Sequence, residues 1–288
     1  DRRQRAMMPS IGCVVTPIEA LKLRASYSRT IARPTFRELT PIMQQEYLGG
    51  DVFVGNPDLN ISRLKNYDLR ADFTPRPGSF FSTSFFKKRV EDPIEYTQRV
   101  ADFTYTTPIN YPKGWLKGWE FEVRQDLGQL WDALHGLSFG ANATLIRSEV
   151  NLPEDEAEDF EAPNIMAPMR TRDMMNAPSH LYNLNLTYDI DQTGTQMAIF
   201  YTVRGDTLIA GAGQSSGHFV PSVYERERGS LNFSVSQKFL KYFTAKFQAK
   251  NLTNPKIETV YRSKYIGEDI VRTGRRDGID YSIGLYME

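Results

Sequence analysis

The sequence predicts an all-β fold, an antiparallel transmembrane β-barrel to which this chain contributes about eleven strands. Three observations carry that expectation: long runs in which apolar and polar residues alternate, connections that alternate short and long, and no apolar segment long enough to span as a helix. The clearest run is Asn66-Tyr67-Asp68-Leu69-Arg70-Ala71-Asp72-Phe73-Thr74. Its Tyr67, Leu69, Ala71 and Phe73 share one face of a strand, while Asn66, Asp68, Arg70, Asp72 and Thr74 share the other. The same period recurs at 21–28, 182–188, 231–236 and 243–250. An aromatic and aliphatic face backed by a charged and amide face suits a wall between lipid and a wet lumen.

Strands are expected at about 7–15, 21–30, 65–75, 80–91, 117–127, 137–149, 179–190, 195–206, 228–239, 243–262 and 272–287. The connections at 16–20, 76–79, 128–136, 191–194 and 240–242 are short, and several carry Pro or Gly turn chemistry. Those near 31–64, 92–116, 150–178, 207–227 and 263–271 are mostly much longer. Outer-membrane barrels have short periplasmic turns and long outer loops. If the C-terminus is periplasmic, every short connection falls inside and every long one outside.

Composition narrows the function classes. In 288 residues, 35 Lys and Arg balance 35 Asp and Glu, so the net charge is 0 and no field favours nucleic acid. The mean hydropathy is −0.46. No run approaches the roughly 20 apolar residues of a spanning helix. That excludes a helical membrane protein only, because a barrel hides the polar half of each strand in its lumen. The single cysteine, Cys13, precludes an internal disulfide and reads as a small packed side chain. The start, Asp1-Arg2-Arg3-Gln4-Arg5, has no initiator Met and no signal-peptide layout, so the chain is expected to be a piece of a longer protein.

Three segments resemble the C-terminal half of TonB-dependent outer-membrane receptors. They are Arg24-Ala25-Ser26-Tyr27-Ser28-Arg29-Thr30-Ile31-Ala32-Arg33-Pro34, then Gly55-Asn56-Pro57-Asp58-Leu59 leading into Asn66-Tyr67-Asp68-Leu69, and finally Gln248-Ala249-Lys250-Asn251-Leu252-Thr253-Asn254-Pro255. Their order spans nearly the whole chain. The resemblance implies that residues 1–288 are the C-terminal portion of a barrel of 22 strands, plugged by a separate N-terminal domain that a TonB-type energy-transducing partner pulls. Plug and signal peptide lie outside these residues. Tyr281, Ile283, Leu285 and Met287 alternate as the last strand of such barrels does, and the family's terminal aromatic is expected after Glu288.

The residues give no enzyme signature and no cofactor. His135, His180 and His218 are scattered without metal-ligand spacing, and no Gly-x-Ser-x-Gly elbow occurs. Gly211-Ala212-Gly213 lacks a phosphate loop's Lys and Ser/Thr and reads as a mobile loop tip. The acidic run 154–161 lacks calcium-loop spacing and reads as a solvated outer loop, and Met166, Met169, Met174 and Met175 read as adaptable packing rather than a copper site. Loop aromatics (Tyr47, Tyr105, Trp115, Tyr224) could stack on a sugar or a flat chelate, or form the interface girdle and loop packing. Arg33, Arg204 and Arg226 near strand mouths could steer an anion, or, like Arg70 with Asp72, pair with lumenal carboxylates. The substrate-contact candidates are therefore Arg33, Tyr47, Tyr105, Trp115, Arg204 and Tyr224.

The expected function is active import of a scarce solute (siderophore, corrinoid, haem, oligosaccharide or peptide) across a Gram-negative-type outer membrane by a monomeric barrel in contact with outer-membrane lipid. A passive substrate-selective channel is the alternative. An outer-membrane hydrolase or a soluble carbohydrate-binding β-protein are readings from other classes.

Overall fold

The computed structural model describes residues 7–45, 51–163, 165–215, 218–239 and 242–287. Eleven strands form one continuous antiparallel wall: β1 (Ser10–Ile18), β2 (Leu21–Ala32), β3 (Ser62–Arg76), β4 (Ser79–Glu91), β5 (Lys113–Asp126), β6 (Leu137–Asn151), β7 (His180–Ile190), β8 (Thr195–Arg204), β9 (Arg228–Phe239), β10 (Phe243–Lys250) and β11 (Asp280–Met287). Each pairs with its neighbour in sequence, so the wall is a meander of hairpins with β1 and β11 at its edges. The short strand Thr171–Arg172 adds to the loop end of β6.

The register turns the alternation of each strand into two surfaces. Leu69 lies opposite Ala25 and Phe85, Phe85 opposite Trp119, and Trp119 opposite Leu145, one continuous apolar row across five strands. The other face is polar and internally paired. Asp72 accepts from Arg70 at 2.7 Å and lies 3.2 Å from Arg24, Arg70 reaches Glu122 at 3.3 Å, and Arg124 reaches Glu122 at 2.9 Å. Asn183 donates to Asn142 at 2.8 Å and accepts from Thr202 at 2.8 Å. The Arg70–Asp72 pairing expected from the sequence is thus present. It belongs to a chain of charges running across four strands.

Three boundaries differ from the sequence expectation, each for a local reason. Pro17 falls inside β1, at a shift in register between Val15 and Ile18; such an irregularity in the ladder is where a residue without an N–H is tolerated. Ile18 then pairs with Leu21, leaving only Glu19 and Ala20 in the turn. The expected strand 243–262 is broken at Asn251-Leu252-Thr253-Asn254-Pro255, where Asn251 and Asn254 have φ of 59° and 39°. Such a backbone cannot continue a ladder. The expected strand 272–287 breaks likewise at Gly278, φ 86°. The breaks clasp each other: Asn251 Nδ2 donates to the Gly278 carbonyl at 2.6 Å, and the Gly278 N–H donates to Asn254 Oδ1 at 3.1 Å.

Above the breaks the long connections build their own sheets. Strands Thr207–Ala210, Ser222–Glu225, Ile257–Arg262 and Ile270–Arg275 form one, and Met43–Gln45, Val52–Val54, Thr104–Asn110 and Ile94–Val100 another. Gly211-Ala212-Gly213 is buried rather than a loop tip. A Cβ on Gly211 would collide with the Arg172 guanidinium and one on Gly213 with the Gln98 carbonyl, so glycine there permits close packing. The acidic run is the helix Glu154–Glu161, its first turn occupied by Glu154, Asp155 and Glu156 as the helix dipole favours, and Glu156 points inward.

Leu69→Arg should destabilise the full-length protein refolded into lipid vesicles by about 2–4 kcal/mol, the cost of a cation near the bilayer midplane. Asp72→Asn should cost about 1.5–3 kcal/mol, since it removes the buried carboxylate charge that faces both Arg70 and Arg24. Asp68→Asn should be close to neutral. Heat-modifiable gel mobility against urea gives the order; Asp68→Asn as the most damaging of the three would reverse the assignment of the faces.

Candidate functional site

The outer assembly is held by a buried polar cluster drawn from three connections, those between β4 and β5, β6 and β7, and β8 and β9. The hairpin Ile94–Val100 and Thr104–Asn110 contributes Glu95, Thr97, Gln98 and Arg99; the helix contributes Glu156, the strand beside β6 Arg172, and the end of the hairpin Tyr111. The Tyr111 hydroxyl donates to Glu156 Oε1 at 2.6 Å, and Arg99 reaches Glu156 Oε2 at 3.3 Å. Arg172 lies 3.4 Å from Glu95 and over the Tyr111 ring at 4.8 Å. Gln98 donates to the carbonyls of Gly211 and Pro221 at 3.1 and 2.7 Å. Apolar packing completes the cluster: Phe160, Val150, Leu152, Ala157 and Ala212 surround Tyr111, with Met169 and Met174 against them.

Burial acts on the charges of this cluster. It pushes the Glu95 carboxyl up to about 7, against the opposing pull of Arg172 and of the Met175 amide. Glu156 moves in the same direction, again through burial. Arg172 stays cationic, held so by Tyr111 and Glu95 although burial opposes it. Its Nε makes no hydrogen bond among the described residues.

Two cavities lie near the cluster, the smaller one bordered by its Arg172. One of about 490 Å³ is bordered by Arg170, Arg172, Tyr224, Arg262, Lys264 and Tyr265. Arg262 is bound by Asp269 at 2.6 Å and Asp206 at 2.8 Å, and Arg170 by Glu161 at 2.8 Å. Lys264 has its ammonium 4.9 Å from the Tyr265 ring centre. The second cavity, of about 1020 Å³, is bordered by Phe85, Trp119 and Leu145 of the wall, by the charged Lys117, Arg147 and Glu149 beside them, and by the loop residues Asp173, Asp206, Leu208 and Tyr224.

The structure brings some of the candidate residues together. Tyr224 borders both cavities, its hydroxyl donating to Asp173 at 3.1 Å and its ring under the Arg262 guanidinium at 4.8 Å. Arg204, at the end of β8, pairs with the adjacent Glu225 at 3.5 Å. Trp115 lines the second cavity only, with Nε1 donating to Glu149 at 3.3 Å. Arg33 is an exposed residue just past β2, and Tyr105 packs on Phe103 at 6.0 Å within its own hairpin; neither borders these cavities. Tyr47 lies outside the described residues. Arg226, the third arginine near a strand mouth, pairs with Glu258 at 3.2 Å. Sequence reasoning missed Glu95, Arg172 and Arg262. The hairpin that carries Glu95 has a signal, the strand-like runs 94–100 and 104–110 separated by Ala101-Asp102-Phe103; nothing marks Arg172.

The family model described as "TonB dependent receptor-like, beta-barrel" matches residues 1–252. The chain belongs to this family. No curated protein sequence matches the chain. Among solved structures, this TonB-dependent receptor barrel is similar to the siderophore receptor PirA from Pseudomonas aeruginosa, with TM-score 0.59 and 15% identity over 97% of this chain and 41% of that one. A G324V mutant of the ferric enterobactin receptor PfeA from the same organism aligns with TM-score 0.61 and 15% identity, over 98% of this chain and 40% of that one. The iron transporter FrpB from Neisseria meningitidis gives TM-score 0.58 and 12% identity, over 98% and 39%. The chain thus spans about two-fifths of the solved receptors it resembles, and at these identities the likeness is one of fold.

A raised acid has a defined linkage sign. Between its ordinary value of 4.5 and about 7 the folded state holds the proton of Glu95 that the unfolded chain releases, so the loop cluster loses stability as pH rises through that window. In the full-length receptor, amide exchange at 94–100 and 171–176, corrected for intrinsic rates, should be slower at pH 5 than at pH 8. Glu95→Gln should flatten the profile; an unchanged profile in that variant would remove Glu95 as its cause.

Proposed function

We propose that this chain is the C-terminal half of a plugged outer-membrane receptor that imports an anionic metal chelate, the remaining strands and the plug being supplied by sequence outside these residues. The observation that carries the reading is the eleven-strand wall itself: apolar on one face, charge-paired on the other, and matched along most of its length to the TonB-dependent receptor barrel. The similar structures named for siderophores and iron transport support the cargo class. So does the chemistry of the smaller cavity, where Arg172 presents a nitrogen without a hydrogen-bond partner among the described residues beside Arg170 and Lys264, with Tyr224 and Tyr265 as stacking surfaces. Charge-assisted hydrogen bonds and ring faces suit a flat, multiply charged chelate. Energy would reach the site through the plug, from a TonB-type partner in the inner membrane.

Uptake of a radiolabelled ferric chelate by cells bearing the full-length receptor tests this. Import should stop when the energy-transducing partner is deleted; import that persists would make the barrel a passive channel. Lys264→Ala combined with Tyr224→Ala should weaken binding roughly tenfold, about 1.4 kcal/mol. Arg33→Ala should leave it unchanged.

A further inference from the structure

Arg172 is a buried cation whose charge is loosely committed. Among the described residues the carboxylate within ion-pair reach of it is Glu95, 3.4 Å from Nη1, and neither Nη1 nor Nε makes a hydrogen bond. Nη2 reaches the Tyr96 carbonyl at 3.4 Å, and the guanidinium lies over the Tyr111 ring. Glu95 in turn accepts from the Met175 amide at 3.1 Å. The segment 171–175 therefore joins two places: Thr171, Arg172 and Asp173 border the smaller cavity, while Met175 holds Glu95, which does not border it.

The other charged groups around Glu95 have partners of their own. Glu156 of the helix accepts from Tyr111 and lies 3.3 Å from Arg99, and burial keeps the Tyr111 hydroxyl protonated. The loop strands Thr207–Ala210 and Gly213–Ser215, which lie against the hairpin of Glu95, carry no charged residue. The charge felt in the cavity consequently depends on Glu95. Its border sets Arg170, Arg172, Arg262 and Lys264 against Glu149 and Asp173. Glu161 takes up Arg170, and Asp206 and Asp269 take up Arg262. Lys264 and Arg172 are then left facing Glu149 and Asp173, and an ionised Glu95 tips this balance to negative. A proton on Glu95 restores the balance and leaves the guanidinium to compensate a charge in the cavity instead. Burial raises the Glu95 carboxyl to about 7, so this step falls at neutral pH.

We propose that Glu95 is a positioning residue for the anion in this cavity, acting through Arg172, and that anion binding is accompanied by uptake of a proton from solvent at the Glu95 carboxylate. The proposal rests on the reading of the cavity as a chelate site. The coupling is reciprocal: a bound anion offsets the pull of Arg172 on Glu95 and so favours its protonation, and protonated Glu95 leaves Arg172 more attractive to the anion.

The test measures equilibrium binding of two probes, a ferric tris-catecholate and ferric citrate, to full-length receptor in a neutral detergent. For an anion that shifts the Glu95 proton equilibrium about tenfold, affinity should be roughly fivefold higher at pH 6 than at pH 8. Calorimetric titration in phosphate and in Tris, buffers whose protonation heats differ, should show the complex taking up part of a proton at pH 7. Glu95→Gln keeps an acceptor for the Met175 amide, so the loops stay assembled; its proton uptake should fall to what the probe itself contributes, and its affinity at pH 8 should match that of wild type at pH 6. Glu156→Gln should retain the pH slope, as should His180→Gln and His218→Gln, whose imidazoles lie outside both cavity borders. A slope that survives in Glu95→Gln, or that disappears in Glu156→Gln instead, would overturn the proposal and leave the chelate reading intact. Binding of neither probe across this pH range would overturn the chelate reading and this proposal with it.

Discussion

The constraint on which the wall depends is that a backbone in hydrocarbon has no water to bond. Every N–H and C=O must find its partner within the sheet, and a meander of long antiparallel neighbours satisfies this with the least sequence separation between partners. Once the ladder is fixed, the two-residue period leaves each strand a choice between two surfaces and no third. Tyr67, Leu69, Ala71 and Phe73 take one, and Asp68, Arg70 and Asp72 the other, so the charges of Arg24, Arg70, Asp72, Glu122 and Arg124 meet each other across strands rather than lipid. Lumenal ion pairing follows from the ladder and is not an independent device.

The outer assembly obeys a different rule. Its segments have water available, so apolar packing and a few buried polar contacts must hold them. Glu95 and Tyr111 of one connection and Glu156 and Arg172 of the next converge on one point, with Gly211 of a third admitting the guanidinium where any side chain would block it. Removing one partner from such a cluster leaves a buried charge without its counterion, which is why the cluster favours a single arrangement of loops whose direct backbone pairing includes the bridge between Thr97 and Gly211.

That difference explains what the sequence disclosed. The wall was legible because lipid and lumen impose alternation directly on local residues; even β9, at 228–239, was bounded correctly. Pro17 reads as a turn residue because its tolerance depends on the register shift between β1 and β2, a property of the pairing and not of the segment. The runs at 243–262 and 272–287 look continuous because residues beyond each break keep the strand-like period, yet they belong to the loop sheet. Of the site, Tyr224 and Arg204 could be picked out by chemistry and position near a strand mouth. Glu95, Thr97 and Arg172 could not, since their significance comes from partners such as Ala212, 115 residues from Thr97.

The clasp of Asn251, Asn254 and Gly278 has a consequence for how such a chain can change over generations. Because both strands of the last hairpin leave the ladder at left-handed residues tied to each other, the register of β10 with β11 is set below the knot and carries no memory of what lies above it. Insertions, deletions or wholesale replacement between Ile257 and Arg275 alter the surface offered to the outside while the membrane wall keeps its pairing. Selection can then reshape recognition on one side of three residues without having to re-solve assembly on the other.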